Sequence, residues 1–353
     1  MPVRKMDLQV VDLIFKVGKI FTITPSSLLQ TSPNKIHSCF IVVTYIVVTS
    51  LTYKISHVTY KQLTSVQYIL AIFSLVAVYT HDFYVFIFVR CWRNFWLDLS
   101  RGLRKVNNRK NRRKVHYFWF IMSQLFLLVE CVFGLVYYTY FTNYQLAFLM
   151  FVNFFRRYFQ MFFLILRCIL LDIILGKYRQ QLWTLESKVP QTRKVGRDLY
   201  VLKKTIDVFN DIFGWPCFTN IFSASITVLI TLDVFIKSNG HFTYDTRTMT
   251  EVLNQMLHMI GICSYWVIIC ITINILLCDA VLKEFDKIEE LVSELKLRKN
   301  RFGHKFILLN RIILHNRPEF KAADFFSLHK STLFGITYSI TNFLLIMIQF
   351  KPS

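Results

Sequence analysis

The sequence is poor in the residues that interrupt regular structure in soluble folds. Its 353 residues include only 10 glycines and 7 prolines, and 18% are charged, against about 25% in an average soluble domain. This scarcity excludes collagen-like, low-complexity and loop-rich β architectures. Hydrophobic residues make up 54% of the chain and the mean hydropathy is positive, which favours an integral membrane protein.

The motifs of common enzyme classes are also missing. There is no His-Glu-x-x-His, no Gly-x-Gly-x-x-Gly, no phosphate-binding glycine loop and no Gly-x-Ser-x-Gly. The 9 histidines are scattered, and the 8 cysteines form no Cys-x-x-Cys pattern. We therefore expect no enzyme, no metal site and no cofactor, and we expect buried thiols in place of a disulfide framework.

Seven apolar stretches are each long enough to cross a bilayer as a helix, which requires about 20 residues. They span residues 36–56, 66–89, 118–140, 145–175, 217–236, 252–277 and 331–350. These runs are too long and too uniformly apolar for the strands of a β-barrel. The sequence therefore predicts an all-α, polytopic membrane protein with seven transmembrane helices.

Basic residues are distributed unevenly among the segments between these spans. Of the 42 Lys and Arg residues, 5 precede the first span, 10 lie between the second and third, 8 between the fourth and fifth, and 11 between the sixth and seventh. Because basic residues collect on the cytoplasmic side, the N-terminus is predicted to be cytoplasmic and the C-terminus extracellular. The net charge of +21 then needs no nucleic-acid partner to explain it. No continuous apolar run follows Met1, so no cleaved signal peptide is expected.

Amphipathic segments continue beyond the spans on the cytoplasmic side. Residues 279–300 repeat apolar residues at helical spacing with charges between them, so the sixth helix is expected to extend into the cytoplasm. Residues 198–213 and 305–315 show similar patterns. Their apolar faces need partners, which predicts a packed helical cytoplasmic domain. The alternative is that these helices lie on the membrane surface.

Ionisable residues inside apolar spans are costly, and they indicate functional or paired positions. Asp233, and Arg167 with Asp172, are interpreted as structural: either they pair within the bundle, or they lie at the membrane interface, where an arginine side chain extends toward water. Glu130 and the Arg156–Arg157 pair either line a ligand or water cavity or are structural.

Several polar and aromatic residues cluster in the outer halves of spans two to six. Small-molecule sites are apolar and aromatic with a few polar anchors, and such a cavity would fit this description. Anchoring at the lipid interface is the alternative for the tyrosines. The candidate ligand-pocket residues are Gln67, Tyr68, Glu130, Tyr137, Asn153, Arg156, Arg157, Gln255, His258 and Tyr265.

The seventh span contains a stripe of polar residues that is broken at one position. The candidate pore and gate residues are the stripe Ser339, Asn342, Ile346 and Gln349, with the flanking Phe343 and Phe350. A polar stripe with one apolar ring suits a water-filled pore that closes by dewetting. One helix does not enclose a pore, so this interpretation requires several copies around a symmetry axis. Alternatively, the polar residues join helices to one another.

The C-terminal region carries a specific pattern. Residues 320–334 read FKAADFFSLHKSTLF, and the following span ends in five apolar residues, 344–348, closed by Gln349-Phe350. This pattern resembles the insect gustatory receptor family, in which a Thr-Tyr pair stands where this chain has Asn342-Phe343. Residues 11–28 are similar to the family's first cytoplasmic helix, and the predicted layout matches over the whole chain.

The resemblance implies a ligand-gated, non-selective cation channel in the plasma membrane of a sensory neuron. It implies a homotetramer, or co-assembly with related subunits, in which the seventh helices line one central pore for permeating cations. Each subunit would bind a small-molecule tastant in an outer pocket, with membrane lipids around the bundle. The family's sugar-sensing branch has Glu where this chain has Leu344, so a bitter or other plant compound is expected instead of a sugar.

The predicted organisation has four parts. Residues 1–35 form a cytoplasmic segment with an amphipathic helix, 36–277 a six-helix ligand-binding bundle with cytoplasmic extensions, 278–330 cytoplasmic anchor helices, and 331–353 the pore-lining helix with a short extracellular tail. A seven-helix receptor that signals through a cytoplasmic partner without conducting is the alternative function. A transporter is a third interpretation, although the two halves show no internal repeat.

Overall fold

The structure, a computed structural model, describes residues 8–20, 24, 36, 39–47, 49–50, 65–91, 93–106, 113–141, 144–187, 191–238, 247–298 and 303–349. The helices with defined ends are α1 (Leu8–Ile20), α2 (Ser65–Cys91), α3 (Arg93–Lys105), α4 (Arg113–Phe141), α5 (Tyr144–Glu186), α6 (Thr192–Ser238), α7 (Arg247–Arg298), α8 (Gly303–His315) and α9 (Lys330–Gln349). Residues 39–47 are also helical, and two short strands, β1 (Lys321–Ala322) and β2 (Phe326–Ser327), pair in an antiparallel hairpin. The predicted all-α class is confirmed.

Four apolar stretches of the described helices are long enough to cross a membrane. They are Ser65–Ile87, Tyr117–Val136, Arg157–Glu186 and Thr192–Asp233, and they overlap the second to fifth predicted spans. The first predicted span begins in helical residues 39–47, the sixth lies in α7 and the seventh in α9. The chain is therefore a polytopic helical membrane protein, and the number of seven spans stays a prediction.

Helix α5 forms the centre of the bundle because residues 159–175 are apolar around most of the helix, with Gln160, Arg167 and Asp172 as the exceptions. Nearly every side chain from Phe159 to Leu175 is buried, as expected for a helix without a continuous polar face. It packs against α4, α6 and α7. Helix α4, in contrast, exposes Phe118, Leu125 and Val129 at helical spacing, a surface that suits lipid.

Helices α6 and α7 extend well beyond the length needed to cross a bilayer. Helix α7 runs without a break from Arg247 to Arg298, as its amphipathic pattern predicts, and it buries Phe285 and Val292 in its far part. The amphipathic segment 198–213 is the first part of α6, which also continues through Pro216. The predicted limit between the bundle and the anchor helices, at residue 278, therefore falls inside one continuous helix.

Shorter helices pack onto these extensions. Helix α1 buries Phe15, whose ring meets Trp96 of α3 edge-on with 5.3 Å between the centroids. Gly18 allows Thr24 to approach α1, because a Cβ at Gly18 would overlap with Thr24 Oγ1. Helix α3 packs on α6, and α8 packs on both α6 and α7. The apolar faces of α1 and α3 are thus covered by protein.

Candidate pore helix and ligand site

Helix α9 packs on the rest of the chain by one narrow face. Leu333 and Ile336 contact the core, and the neighbouring helices are α6 and α7. On other faces Phe334 and Tyr338 are each 68% exposed, and Leu345 is 52% exposed. A helix with this much exposed apolar surface needs lipid or another protein chain around it.

The predicted polar stripe lies away from the packed face of α9. With 3.6 residues per turn, its centre is roughly 130° around the helix from Leu333 and Ile336. Ser339, Ile346 and Gln349 are exposed, and Asn342 is half-buried. The stripe therefore points away from the subunit that carries it.

Two further features of α9 concern the candidate gate. Ser339 Oγ donates a hydrogen bond to the carbonyl of Gly335 at 2.9 Å, which leaves the hydroxyl oxygen to face outward as an acceptor. Phe343 is 38% exposed and flanks the stripe. Phe350, which is also predicted to be a gate residue, lies outside the described residues.

The β-hairpin immediately before α9 contains a strained turn. Phe325 N–H donates to the carbonyl of Ala322 at 3.0 Å, and the two central residues, Ala323 and Asp324, have φ angles of 50° and 60°. Positive φ at both central positions is characteristic of a type I′ turn, which glycine and asparagine usually occupy. Two non-glycine residues hold this conformation only where neighbouring contacts enforce it.

Helix α6 supplies those contacts. Asn210 Nδ2 donates to the carbonyl of Glu319 at 2.7 Å, and its Oδ1 accepts a hydrogen bond from the backbone N–H of Lys321 at 3.2 Å. Gly214, one turn further along α6, lies so close that a Cβ there would be 3.0 Å from the backbone nitrogen of Ala323. The hairpin is therefore fixed to α6 on both its first strand and its turn.

Helix α7 holds the first residue of α9. The backbone N–H of Lys330 donates to Asp279 Oδ1 at 3.4 Å, and Lys283 Nζ lies 2.9 Å from Asp279 Oδ2. A carboxylate here satisfies an N–H that has no partner inside α9 and interacts favourably with the helix dipole. Burial acts to raise the pKa of Asp279, but hydrogen bonds from Lys283 and Lys330 hold that pKa below its ordinary value.

The predicted ligand-pocket residues are described in part. Gln67 is 5% exposed and its Nε2 donates to the carboxylate of Asp233, so Asp233 is paired inside the bundle, between α2 and α6. Tyr68, Glu130 and Arg157 are half-buried. The side chains that lie outside the described part of the chain are those of Tyr137, Asn153, Arg156, Gln255, His258 and Tyr265.

One hydrogen bond sets the register of α4 against α5. Tyr158 Oη donates to Gln124 Oε1 at 2.8 Å, and the two helices are consecutive and antiparallel. Glu130, six residues beyond Gln124, is therefore close to the level of residue 152, which precedes Asn153 on α5. Arg157 lies near the level of Gln124, about 8 Å from Glu130 along the helix axis at 1.5 Å per residue. Along the axis of this helix pair, Glu130 is therefore closer to Asn153 than to Arg157.

The expected pair of Arg167 with Asp172 is wrong. Residues five apart in an α-helix are about 140° apart around its axis, so the two side chains do not share a face. The guanidinium of Arg167 lies over the ring of Phe209 at 5.7 Å, and the ionisable groups within its reach are thiols, including those of Cys217 and Cys278.

The sequence interpretation missed the three residues that fix the start of α9. Asn210 and Gly214 stand in the amphipathic first part of α6, and Asp279 at the end of an apolar span, where charged residues are common. Their contacts join segments between 51 and 111 positions apart, and periodicity along the chain carries no information about such pairs. The run Ala322-Ala323-Asp324 also lacks the glycine or asparagine that signals a tight turn.

Comparisons with known proteins agree with this architecture. A family model described as 7tm Chemosensory receptor matches residues 13–353. Among solved structures, the chain is similar to the insect olfactory receptor OR5 from Machilis hrabei, with a TM-score of 0.67, 13% identity, and 97% of this chain and 98% of that chain covered. The same receptor in complex with eugenol gives a TM-score of 0.59 at 13% identity, with 98% of each chain covered. No curated protein sequence matches the chain significantly.

Proposed function

Because the chain belongs to the 7tm chemosensory receptor family, the family that its C-terminal pattern resembles, we propose that it is a gustatory receptor and a ligand-gated, non-selective cation channel. A small-molecule tastant bound to each subunit opens the channel. The similarity to OR5, at 13% identity, supports a common fold. The ligand and the conduction properties of this chain depend on its own residues.

The outward-facing stripe on α9 is the observation on which the channel proposal rests. Polar residues whose only role is to hydrogen-bond neighbouring helices point toward the helices of their own bundle. Ser339, Ile346 and Gln349 instead face away from the subunit that carries them. In a symmetric assembly this face converges on the axis, where the polar positions hydrate permeating cations and Ile346 forms an apolar ring.

The number of subunits that we propose is four. Four copies of α9 enclose a central pore, while the exposed apolar flank of Phe334, Tyr338 and Leu345 packs against the neighbouring subunit. Related receptor subunits that carry the same flank are able to co-assemble. The apolar outer face of α4 then contacts membrane lipids.

The tastant is proposed to bind in the outer part of the bundle, near the level shared by Glu130 and Asn153. The complex of OR5 with eugenol supports a small organic ligand for this fold. Leu344 stands where the sugar-sensing branch has Glu, so we propose a bitter or other plant compound instead of a sugar. Glu130 and Tyr68 are the half-buried polar residues offered as its anchors.

The orientation proposed from the charge distribution places the N-terminus in the cytoplasm and the C-terminus outside the plasma membrane of a sensory neuron. The extensions of α6 and α7, together with α1, α3 and α8, then form the cytoplasmic anchor domain. An epitope tag before Met1 should be reached by antibody only in permeabilised cells, and a tag after Ser353 also in intact cells.

Reconstitution tests the proposed function against a receptor that signals only through a partner. Purified protein in liposomes is exposed to a panel of tastants while the current is recorded. We expect at least one compound to evoke a cation current with no other protein present. A receptor that binds a tastant but passes no current in any member of the panel would contradict the channel proposal.

A further inference from the structure

A proline interrupts the backbone hydrogen bonding of α6 in the middle of the helix. Pro216 has no N–H, so the carbonyl of Ile212 does not receive the hydrogen bond that an α-helix supplies from four residues further on. The Thr219 hydroxyl donates to the carbonyls of Trp215, at 3.1 Å, and Pro216, at 3.2 Å, and such bonds to the preceding turn often bend a helix. The α6 backbone therefore bends more easily around Pro216 than in its regular parts.

Helix α2 is hydrogen-bonded to α6 on both sides of this proline. After Pro216, Ser223 shares a hydrogen bond with Ser74 of α2, with 3.2 Å between the hydroxyl oxygens. Before Pro216, the backbone carbonyl of Asp211 accepts a hydrogen bond from the Tyr84 hydroxyl at 2.8 Å. Helix α2 contains no proline, so it is able to hold the two parts of α6 at a fixed angle to each other.

Tyr84 is placed to control this angle. Its acceptor is a main-chain carbonyl, so the hydrogen bond fixes the α6 backbone itself, in the turn directly before Pro216. That carbonyl belongs to the residue next to Ile212, where the proline leaves the helical hydrogen bonding incomplete. Tyr84 also lies on the same helix as Tyr68, which we propose as an anchor for the tastant. Helix α2 therefore connects the proposed ligand region to the bend in α6.

The hairpin before α9 is attached to α6 on both sides of the same proline. Six residues before Pro216, Asn210 donates to the carbonyl of Glu319 at 2.7 Å. Two residues after Pro216, the ring of Phe218 stacks on Phe325 of the hairpin, with 4.7 Å between the centroids. A bend between these two attachment points changes their relative position, so the hairpin has to follow it. The hairpin leads directly into α9, and α9 therefore moves with the bend.

We propose that α6 bends at Pro216 and that Tyr84 is the positioning residue that sets this bend and, through the hairpin, the position of α9. A shift of α2 that weakens the Tyr84 hydrogen bond releases α6 toward a more bent conformation. Two conformations that differ in this bond are then biased by any ligand that acts on α2. The role in gating rests on the proposed channel function, whereas the bend itself does not depend on conduction.

Hydrogen–deuterium exchange of the purified full chain, measured by mass spectrometry, tests the bend without a current. Tyr84→Phe removes only the hydroxyl group, and it should speed amide exchange several-fold in residues 211–222 of α6 and 320–328 of the hairpin, because local opening becomes easier. Pro216→Ala restores the missing N–H donor and should slow exchange in both segments. The control is Tyr158→Phe, which removes a tyrosine hydrogen bond between α4 and α5 and should leave both segments at the wild-type rate.

Exchange in residues 211–222 that is unchanged in either variant overturns the proposal. A hairpin whose exchange does not follow that of α6 overturns it as well. The two variants test different changes to the bend, so the result does not depend on either of them alone.

Currents evoked by tastant test the link to α9. Tyr84→Phe favours the bent form and Pro216→Ala the straighter form, so the half-maximal tastant concentration should shift several-fold in opposite directions at normal surface expression. Shifts in the same direction, or no shift, would overturn the role of Tyr84 in positioning α9. A wild type that passes no current contradicts the channel proposal instead, and the exchange rates still decide whether α6 bends at Pro216.

Discussion

The backbone N–H of Lys330 donates to Oδ1 of Asp279 at 3.4 Å, so the first residue of α9 is bound to α7, which packs against the central helix α5. The hairpin that precedes Lys330 is fixed independently to Asn210 and Gly214 of α6. The N-terminal end of α9 therefore follows the movements of two long helices. Any ligand that shifts α6 or α7 differently in two states biases the position of α9.

Removal of the Asp279 carboxylate should weaken this coupling. A lost helix cap costs about 1 kcal/mol, or roughly a fivefold change in an equilibrium constant. Asp279→Ala should raise the half-maximal tastant concentration several-fold and lower the maximal current, at unchanged surface expression. The control is Asp286→Ala, also on α7, whose carboxylate forms an exposed ion pair with Arg317 and should not affect gating. Equal dose–response curves for wild type and Asp279→Ala would exclude the coupling role.

The pH dependence of this effect follows from the lowered pKa of Asp279. A carboxylate with a lowered pKa contributes its full stabilisation at any pH above its pKa in the unfolded chain, which is about 3.9. This stabilisation is lost only as the pH falls through the lower pKa of the folded protein. The difference in half-maximal tastant concentration between wild type and Asp279→Ala should therefore be the same at cytoplasmic pH 8 and pH 5.5. Disappearance of that difference at pH 5.5 would show that the carboxylate is already protonated there.

A methyl group at Gly214 should displace the hairpin from α6. The Cβ of Gly214→Ala would lie 3.0 Å from the backbone nitrogen of Ala323, and the strained turn has little freedom to move. We expect a loss of about 1–3 kcal/mol in stability, seen as a lower unfolding temperature, together with reduced currents. Gly196→Ala on the same helix meets only the ends of Ile312 and Leu309, and it should be neutral or slightly stabilising.

The apolar position in the stripe should act as the gate. A ring of Ile346 side chains keeps a narrow pore dry, and serine at this position admits water, so Ile346→Ser should give current without tastant. Phe350→Ser is expected to act in the same direction, and replacement of Gln349 should change conductance or selectivity. Leu345→Ser, which is equally exposed but off the stripe, is the control and should show no basal current. Ile346→Ser subunits that fail to assemble, or that assemble but pass no current, would instead indicate that the stripe joins helices to one another.

Two residues predicted for the ligand pocket should behave differently when changed. Gln67 donates to Asp233 inside the bundle, so Gln67→Leu should lower surface expression by removing that hydrogen bond. Glu130 is half-buried at the level of Asn153, and Glu130→Gln should shift the dose–response curve while surface expression stays normal. A Glu130→Gln variant with an unchanged curve for every active tastant would remove Glu130 from the pocket.

The fold was predictable where the pattern within a single segment determines the structure. The continuous apolar run at residues 145–175 predicts the membrane-length apolar part of α5, and the apolar stripe after residue 278 predicts the extension of α7. The stripe on α9 was also recognisable, since Ser339, Asn342 and Gln349 share one face. Contacts between distant segments, such as Asn210 with Glu319, were not predictable because they depend on how the helices assemble. The expected pair of Arg167 and Asp172 is wrong because residues five positions apart lie on different faces of an α-helix. Their spacing in the sequence already shows this.

The accessibility of α9 to a water-soluble thiol reagent tests the central claim most directly. Ser339→Cys and Asn342→Cys are recorded during activation by tastant, with Thr341→Cys as an exposed position about 120° from the stripe and the wild type as the reference for native cysteines. The proposed pore predicts that a charged methanethiosulfonate reagent blocks the current in both stripe variants and leaves Thr341→Cys and wild type unaffected. Block that is absent from the stripe variants, or equally strong in Thr341→Cys, would contradict a pore lined by this face of α9.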